Sequence, residues 1–156
     1  MPLTDLAISL LNVVSTASIG LLVGALLTES CLLVPYWRSL SADAFHAQYR
    51  ELHPRLYRYF TPLTVAPLLL SLAAAFLSFP ARTGVVWPTV TAGVLVVCTA
   101  ATHEIYFKRA NDQFASGALS DIGLAAELAK WSKWNWVRVG LGLVALAASI
   151  VGIRTG

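Results

Sequence analysis

The chain has 156 residues, 57% of them hydrophobic and only 12% charged, with a formal net charge of +3. That balance belongs to membrane proteins and excludes an ordinary water-soluble domain. The chain has no stripe of basic and aromatic residues suited to nucleic acid.

Four apolar runs follow in chain order: Leu6 to Val34, Tyr59 to Phe79, Val85 to Phe107 and Trp134 to Ile153. Each reaches the roughly 20 residues a helix needs to cross a ~30 Å hydrocarbon core. Lipid offers no partner to exposed backbone amides, and the runs are far longer than barrel strands. The predicted fold is therefore all-α, a polytopic four-helix transmembrane bundle forming one integral membrane domain over residues 1–156. The first run is expected to stay in the mature protein. Met1-Pro-Leu-Thr-Asp5 has no basic n-region, and the apolar stretch is about twice a normal signal core.

Basic residues set the expected orientation. Arg38, Arg50, Arg55 and Arg58 follow the first span, and Lys108, Arg109, Lys130 and Lys133 follow the third, against only Arg82 and Arg154 on the other side. By the positive-inside rule the two long loops face the cytoplasm and both termini face out, as in a bacterial inner-membrane protein. Loop one carries a predicted short interfacial helix: Ser41 caps it, Phe45, Tyr49 and Leu52 recur at helical spacing, and His53-Pro54 ends it. Pro54 then suits the first turn of the second span. Loop two, Ala110 to Lys133, reads as helix at both ends with a break near Ser116-Gly117.

The few polar groups inside the spans cluster at one depth. Glu29 lies six residues before Pro35, His103 five before Lys108 and Arg138 four after Trp134. At 1.5 Å per residue, all three sit roughly 6–9 Å below the cytoplasmic edge. A charge at a helix centre costs roughly 2.5–3.5 kcal/mol on insertion scales, so such residues face the bundle interior and mark function. His103, Glu29 and Arg138 are accordingly the candidate catalytic groups; the plain alternative is an ion pair between Glu29 and Arg138 that fixes helix register. His103, Phe107 and Asn111 share one helix face, as do Trp131, Asn135 and Arg138, with Trp134 beside them. Asn111, Trp131, Trp134 and Asn135 are the candidate substrate-binding residues. Indole and amide groups beside a guanidinium suit a planar, oxygenated ligand, although tryptophans also anchor helices at the membrane interface.

His53, His103, Glu29 and Glu104 are the candidate ligands should a metal or heme be bound, the other expectation being no cofactor at all. No His-x-x-His, Glu-x-x-His, Cys-x-x-Cys or Cys-x-x-Cys-His spacing supports them. His46 is expected at the interface and not as a ligand, and Cys31 and Cys98 imply neither disulfide nor redox role. Gly20-x-x-x-Gly24 is expected to permit close approach within the chain, and Pro62 and Pro67 to interrupt the second helix and open room beside it.

Asn111-Asp-Gln-Phe, followed by Trp131-Ser-Lys-Trp-Asn135-Trp-Val-Arg138, resembles the small four-span family DUF1772, also called anthrone oxygenase-like. In that family an Asn-x-x-apolar element after the third span precedes a Trp-x-x-x-Asn/His-x-x-Arg element opening the fourth. His103-Glu104 departs from it, standing where others often have an apolar or proline-bearing turn. The resemblance implies a membrane oxygenase that oxidises an activated aromatic methylene to a quinone with dioxygen, with Asn111, Trp131, Asn135 and Arg138 as matching positions. The expected partners are the lipid bilayer and a lipophilic small molecule, with a homo-oligomer of the chain as a further option. The rival expectation is a non-catalytic membrane subunit, or a carrier of heme or another small ligand, whose polar cluster is structural.

Overall fold

The computed structural model describes residues 3–78 and 86–154. Four continuous helices account for nearly all of them: α1 Leu3–Arg38, α2 Ala42–Ser78, α3 Val86–Ser116 and α4 Asp121–Arg154, each long and apolar enough to cross a membrane. Helix α1 packs on α2 and α4, and α3 packs on the same two, which closes a four-helix ring in chain order. Phe79, Arg82 and Val85, named above at span ends and in a loop, lie outside the described residues.

Polarity in the spans is turned inside out. Leu10, Leu21, Leu69, Phe76, Val94 and Val144 are exposed, whereas Ser15, Ser71, Thr99, Thr102 and Ser149 are buried. In water such an apolar exterior would be a vast sticky patch; in lipid it is the natural surface, and small hydroxyl residues become the contacts between helices. Thr16 and Ser149 join α1 to α4 by a hydroxyl pair of this kind.

The two long loops of the sequence reading are mostly helix. Helices α1 and α2 are separated only by residues 39–41, and α3 and α4 only by residues 117–120. Gly117 ends α3 in the left-handed conformation, φ 70°, at the break expected near Ser116-Gly117. The Ser41 hydroxyl accepts the Ala44 amide as expected for a cap, and the Asp121 carboxylate accepts the Ala42 amide, so the first turn of α4 also caps α2.

The predicted interfacial helix is helical from Ala42 but does not end at His53-Pro54; it runs unbroken into the second span through Pro54, Pro62 and Pro67. An interior proline costs about 3 kcal/mol or more, and burial at the front of α2 offsets it. Phe45, His46 and Tyr49 are buried against Trp37, Phe107, Phe114 and Trp131 in an aromatic core that caps the loop end of the bundle. The front of α2 therefore stands against α3 and does not lie flat on lipid.

His46 is correspondingly not at the interface. It is buried, with Nδ1 3.0 Å from the Phe114 carbonyl and Nε2 3.1 Å from the Leu119 carbonyl, tying α2 to the turn between α3 and α4. The Gly20-x-x-x-Gly24 pair is also not a tight seam. Gly24 meets nothing within 4 Å and Gly20 meets only Leu146 Cδ1 at 3.8 Å, whereas a Cβ on Gly142 would come within 2.8 Å of Val23 Cγ2. The close approach of α1 to α4 is made by that other glycine.

Candidate functional site

Two helices widen where the polar residues begin. The Val34 amide reaches back five residues to the Glu29 carbonyl, and the Lys108 amide five residues to the His103 carbonyl, making one π-turn over Glu29–Leu33 and another over His103–Phe107. A π-turn holds one residue more than an α-turn and bulges the helix, a distortion frequent at functional sites. Glu29 and Ser30 are neighbours in sequence and yet both buried, because the wide turn keeps them inward while Val34 and Trp37 stay in the core.

Between the four helices lies a cavity of about 520 Å3. Its loop end is bordered by Glu29, His53, His103, Glu104, Asn111 and Arg138, and its walls include Trp37, Tyr49, Phe107 and Trp131. Rings stand mostly edge to face: Trp37 to Trp131 at 5.8 Å, Trp37 to Tyr49 at 5.7 Å and Phe107 to Trp131 at 5.1 Å between centroids. The His53 ring lies nearly parallel to Tyr49 at 5.5 Å. Arg138 sets its guanidinium 4.7 Å from the centre of the Phe107 ring, a cation–π contact that orients it within the bundle.

The charged groups are not consumed by contacts with one another. Among the described residues the ion pairs within 4.0 Å are the two exposed ones, Glu51 with Arg55 and Glu104 with Lys108. Glu29 and Arg138 interact electrostatically across the cavity without forming the direct pair weighed from the sequence. Glu29 Oε2, Arg138 Nε and Trp37 Nε1 are buried with no hydrogen-bond partner in the protein. Unpartnered buried groups of this kind cost free energy, more when charged, and several of them around one cavity make it the candidate polar site.

The predicted substrate-binding residues divide. Asn111 and Trp131 line the cavity and hold each other, the Trp131 Nε1 donating to Asn111 Oδ1 at 3.1 Å. Asn135 does not reach it: fully buried between α4 and α1, it donates to Ser30 Oγ at 2.8 Å and the Leu26 carbonyl at 3.4 Å. Trp134 is turned to the other side, stacked on Tyr106 at 5.3 Å. At about 100° per residue, Trp131 and Arg138 differ by only about 20° around α4, while Asn135 is rotated about 40° from Trp131 one way and Trp134 about 60° the other. Spacing alone grouped side chains that three different neighbours claim.

The four predicted metal candidates all border the cavity, but among the described residues no three His, Cys, Asp or Glu side chains converge where they could hold a metal ion. Trp37 and Tyr49 were missed as wall residues because they come from outside the spans; their helical spacing with Val34 and Phe45 was the available signal. No protein-family model, curated protein or solved structure matches the chain.

Proposed function

We propose that the chain is a membrane oxidoreductase that uses dioxygen to oxidise an activated carbon of a lipophilic aromatic substrate, of anthrone type, at the loop end of the bundle. The observation that carries this reading is the aromatic-walled cavity in which Glu29 and Arg138 keep unpartnered buried polar atoms. Its chemistry agrees with what the anthrone oxygenase-like resemblance implies: of the four motif positions, Asn111, Trp131 and Arg138 line the cavity, and Asn135 braces α1 from behind.

The reaction needs a base, an oxyanion partner and exclusion of water. A ring system lies among Trp37, Phe107 and Trp131, and its carbonyl or phenol oxygen accepts from Arg138. His103, which borders the cavity half-buried, takes the proton from the activated methylene, and the adjacent Glu104 carboxylate stabilises the imidazolium that forms. Arg138 holds the enolate oxygen, where negative charge develops. The carbanion gives one electron to dioxygen, the resulting radical and superoxide combine with uptake of the proton, and the carbon hydroperoxide loses water to leave a carbonyl. One dioxygen is consumed, one oxygen atom ends in product and one in water.

The basic residues gathered at the loop end put that end in the cytoplasm under the positive-inside rule, with the bacterial inner membrane as the natural setting. The test is oxygen uptake and quinone absorbance with anthrone at neutral pH, using purified protein in lipid nanodiscs. His103→Ala should lower kcat about 10²-fold or more, in the range expected for a lost general base, with KM little changed. Saturable anthrone binding without turnover would instead identify a lipophile carrier. Absence of both binding and turnover would reject the aromatic site.

A further inference from the structure

The cavity is much longer than its polar end. Along α2 it runs from His53 to Leu68 and along α3 from Asn111 back to Val97, a reach of about 20 Å at 1.5 Å per residue. All its charged and imidazole groups are gathered at the loop end. Beyond Phe60 its walls are Thr61, Thr64, Val65 and Leu68 on α2 and Val97, Ala100 and Ala101 on α3. The Thr61 hydroxyl donates to the Tyr57 carbonyl at 2.7 Å; this half carries no charged or imidazole group and, of its lining side chains, only the Thr61 and Thr64 hydroxyls are polar.

This apolar half is a wedge with a side opening. Its narrow end is set just past Leu68, where a Cβ on Gly93 would stand 3.5 Å from the Ser71 carbonyl, so α2 and α3 touch there through their backbones. Toward the loop end the helices part, and two alanines leave the gap unfilled. The cavity is only partly enclosed, and Val65 and Val97, which border it, keep 43% and 40% of their surface uncovered. At that depth the outer surface is lipid. A half-membrane is about 15 Å thick, so the slot reaches the region occupied by hydrocarbon tails.

We propose that the ligand is a single-tailed amphiphile: a polar ring held at Glu29 and Arg138, and one hydrocarbon chain laid along the slot between α2 and α3, entering sideways from the bilayer. The chain's place follows from the slot alone, while the aromatic character of the head rests on the function proposed above. A compact polycycle fills the polar end and leaves the slot empty; a tailed ring fills both and packs its chain against the slot walls.

Three probes separate the parts: 2-methyl-1,4-naphthoquinone, the same ring bearing one decyl chain, and 1-decanol, each at equal mole fraction in phosphatidylcholine nanodiscs. Protein-bound ligand is read by native mass spectrometry for wild type and for two plugging variants from opposite walls, Ala101→Phe and Thr64→Phe. The expected result is that wild type retains the decyl quinone at least tenfold more than the tailless ring, and that each plug abolishes this gain without changing retention of the tailless ring. Decyl quinone bound equally by wild type and both plugs overturns the slot, as does equal retention of tailed and tailless rings by wild type. If decanol is retained and lost on plugging while neither quinone binds, the slot stands and the aromatic head is rejected. Retention of none of the three overturns both.

Discussion

At Glu29 and Arg138, two buried charges face one cavity from α1 and α4 without closing on each other. A direct buried pair would neutralise both and offer nothing to a ligand, whereas this arrangement keeps them mutually stabilising and still available. Removing one leaves the other uncompensated inside the bundle, the costly case. Glu29→Gln and Arg138→Gln should each lower detergent thermal stability, and the double variant should be less destabilised than the sum, with a coupling of about 0.5–3 kcal/mol. A thermal-melt cycle in one detergent measures it. Additive effects would mean that the cavity screens the two groups from each other. Their common depth was legible from the sequence by counting residues to the span ends. The missing direct contact was not, because depth fixes height along the bundle and leaves the gap across it undetermined.

Helices are set by where small residues fall and where turns widen, and the sequence misled on the first of these. Gly20 and Gly24 have the familiar spacing, but Gly24 faces away from the other helices, and the seam between α1 and α4 is made at Gly142 against the β-branched, buried Val23. Spacing identifies a smooth strip of helix; only packing decides whether that strip is turned inward. Gly142→Ala places a methyl group 2.8 Å from Val23 Cγ2, closer than real Cβ contacts allow. Overpacking of that kind costs about 1–3 kcal/mol, while Gly24→Ala, with nothing within 4 Å, should be neutral or slightly stabilising through helix propensity. Thermal melts of the two variants check the contrast, and equal effects would remove Gly142 from the seam. The π-turns at Glu29 and His103 left no such trace, since they answer to burial of Trp37 and Phe107 in the aromatic cap and not to any local residue preference.

For the whole molecule, four spans were legible because a membrane imposes one requirement, length of apolar helix, that a single sequence states directly. The cap was legible only in part: helix was expected at the front of loop one and at both ends of loop two, but the hydropathy falls after residue 34 and after residue 107, and only tertiary contact reveals that these pieces are continuous with the spans. This bears on orientation. Arg38, Arg50, Arg55, Arg58, Lys108, Arg109, Lys130 and Lys133 ride on helical extensions joined by turns of three and four residues, well within the distance over which positive charge governs insertion. Near an anionic leaflet each contributes about 1 kcal/mol, and Arg154 cannot balance them. The expected topology has the 39–41 and 117–120 turns in the cytoplasm and both chain ends outside. Alkaline phosphatase fused after Gly156 should therefore be active in a bacterial host, and green fluorescent protein at the same point dark. In a background where Cys31 and Cys98 are replaced by Ala, Ser120→Cys should react with a membrane-impermeant maleimide only after permeabilisation. Labelling in intact cells would invert the bundle. The cavity's polar end would then open toward the exterior, and the proposed deprotonation would take place in a compartment whose pH the cell does not hold fixed.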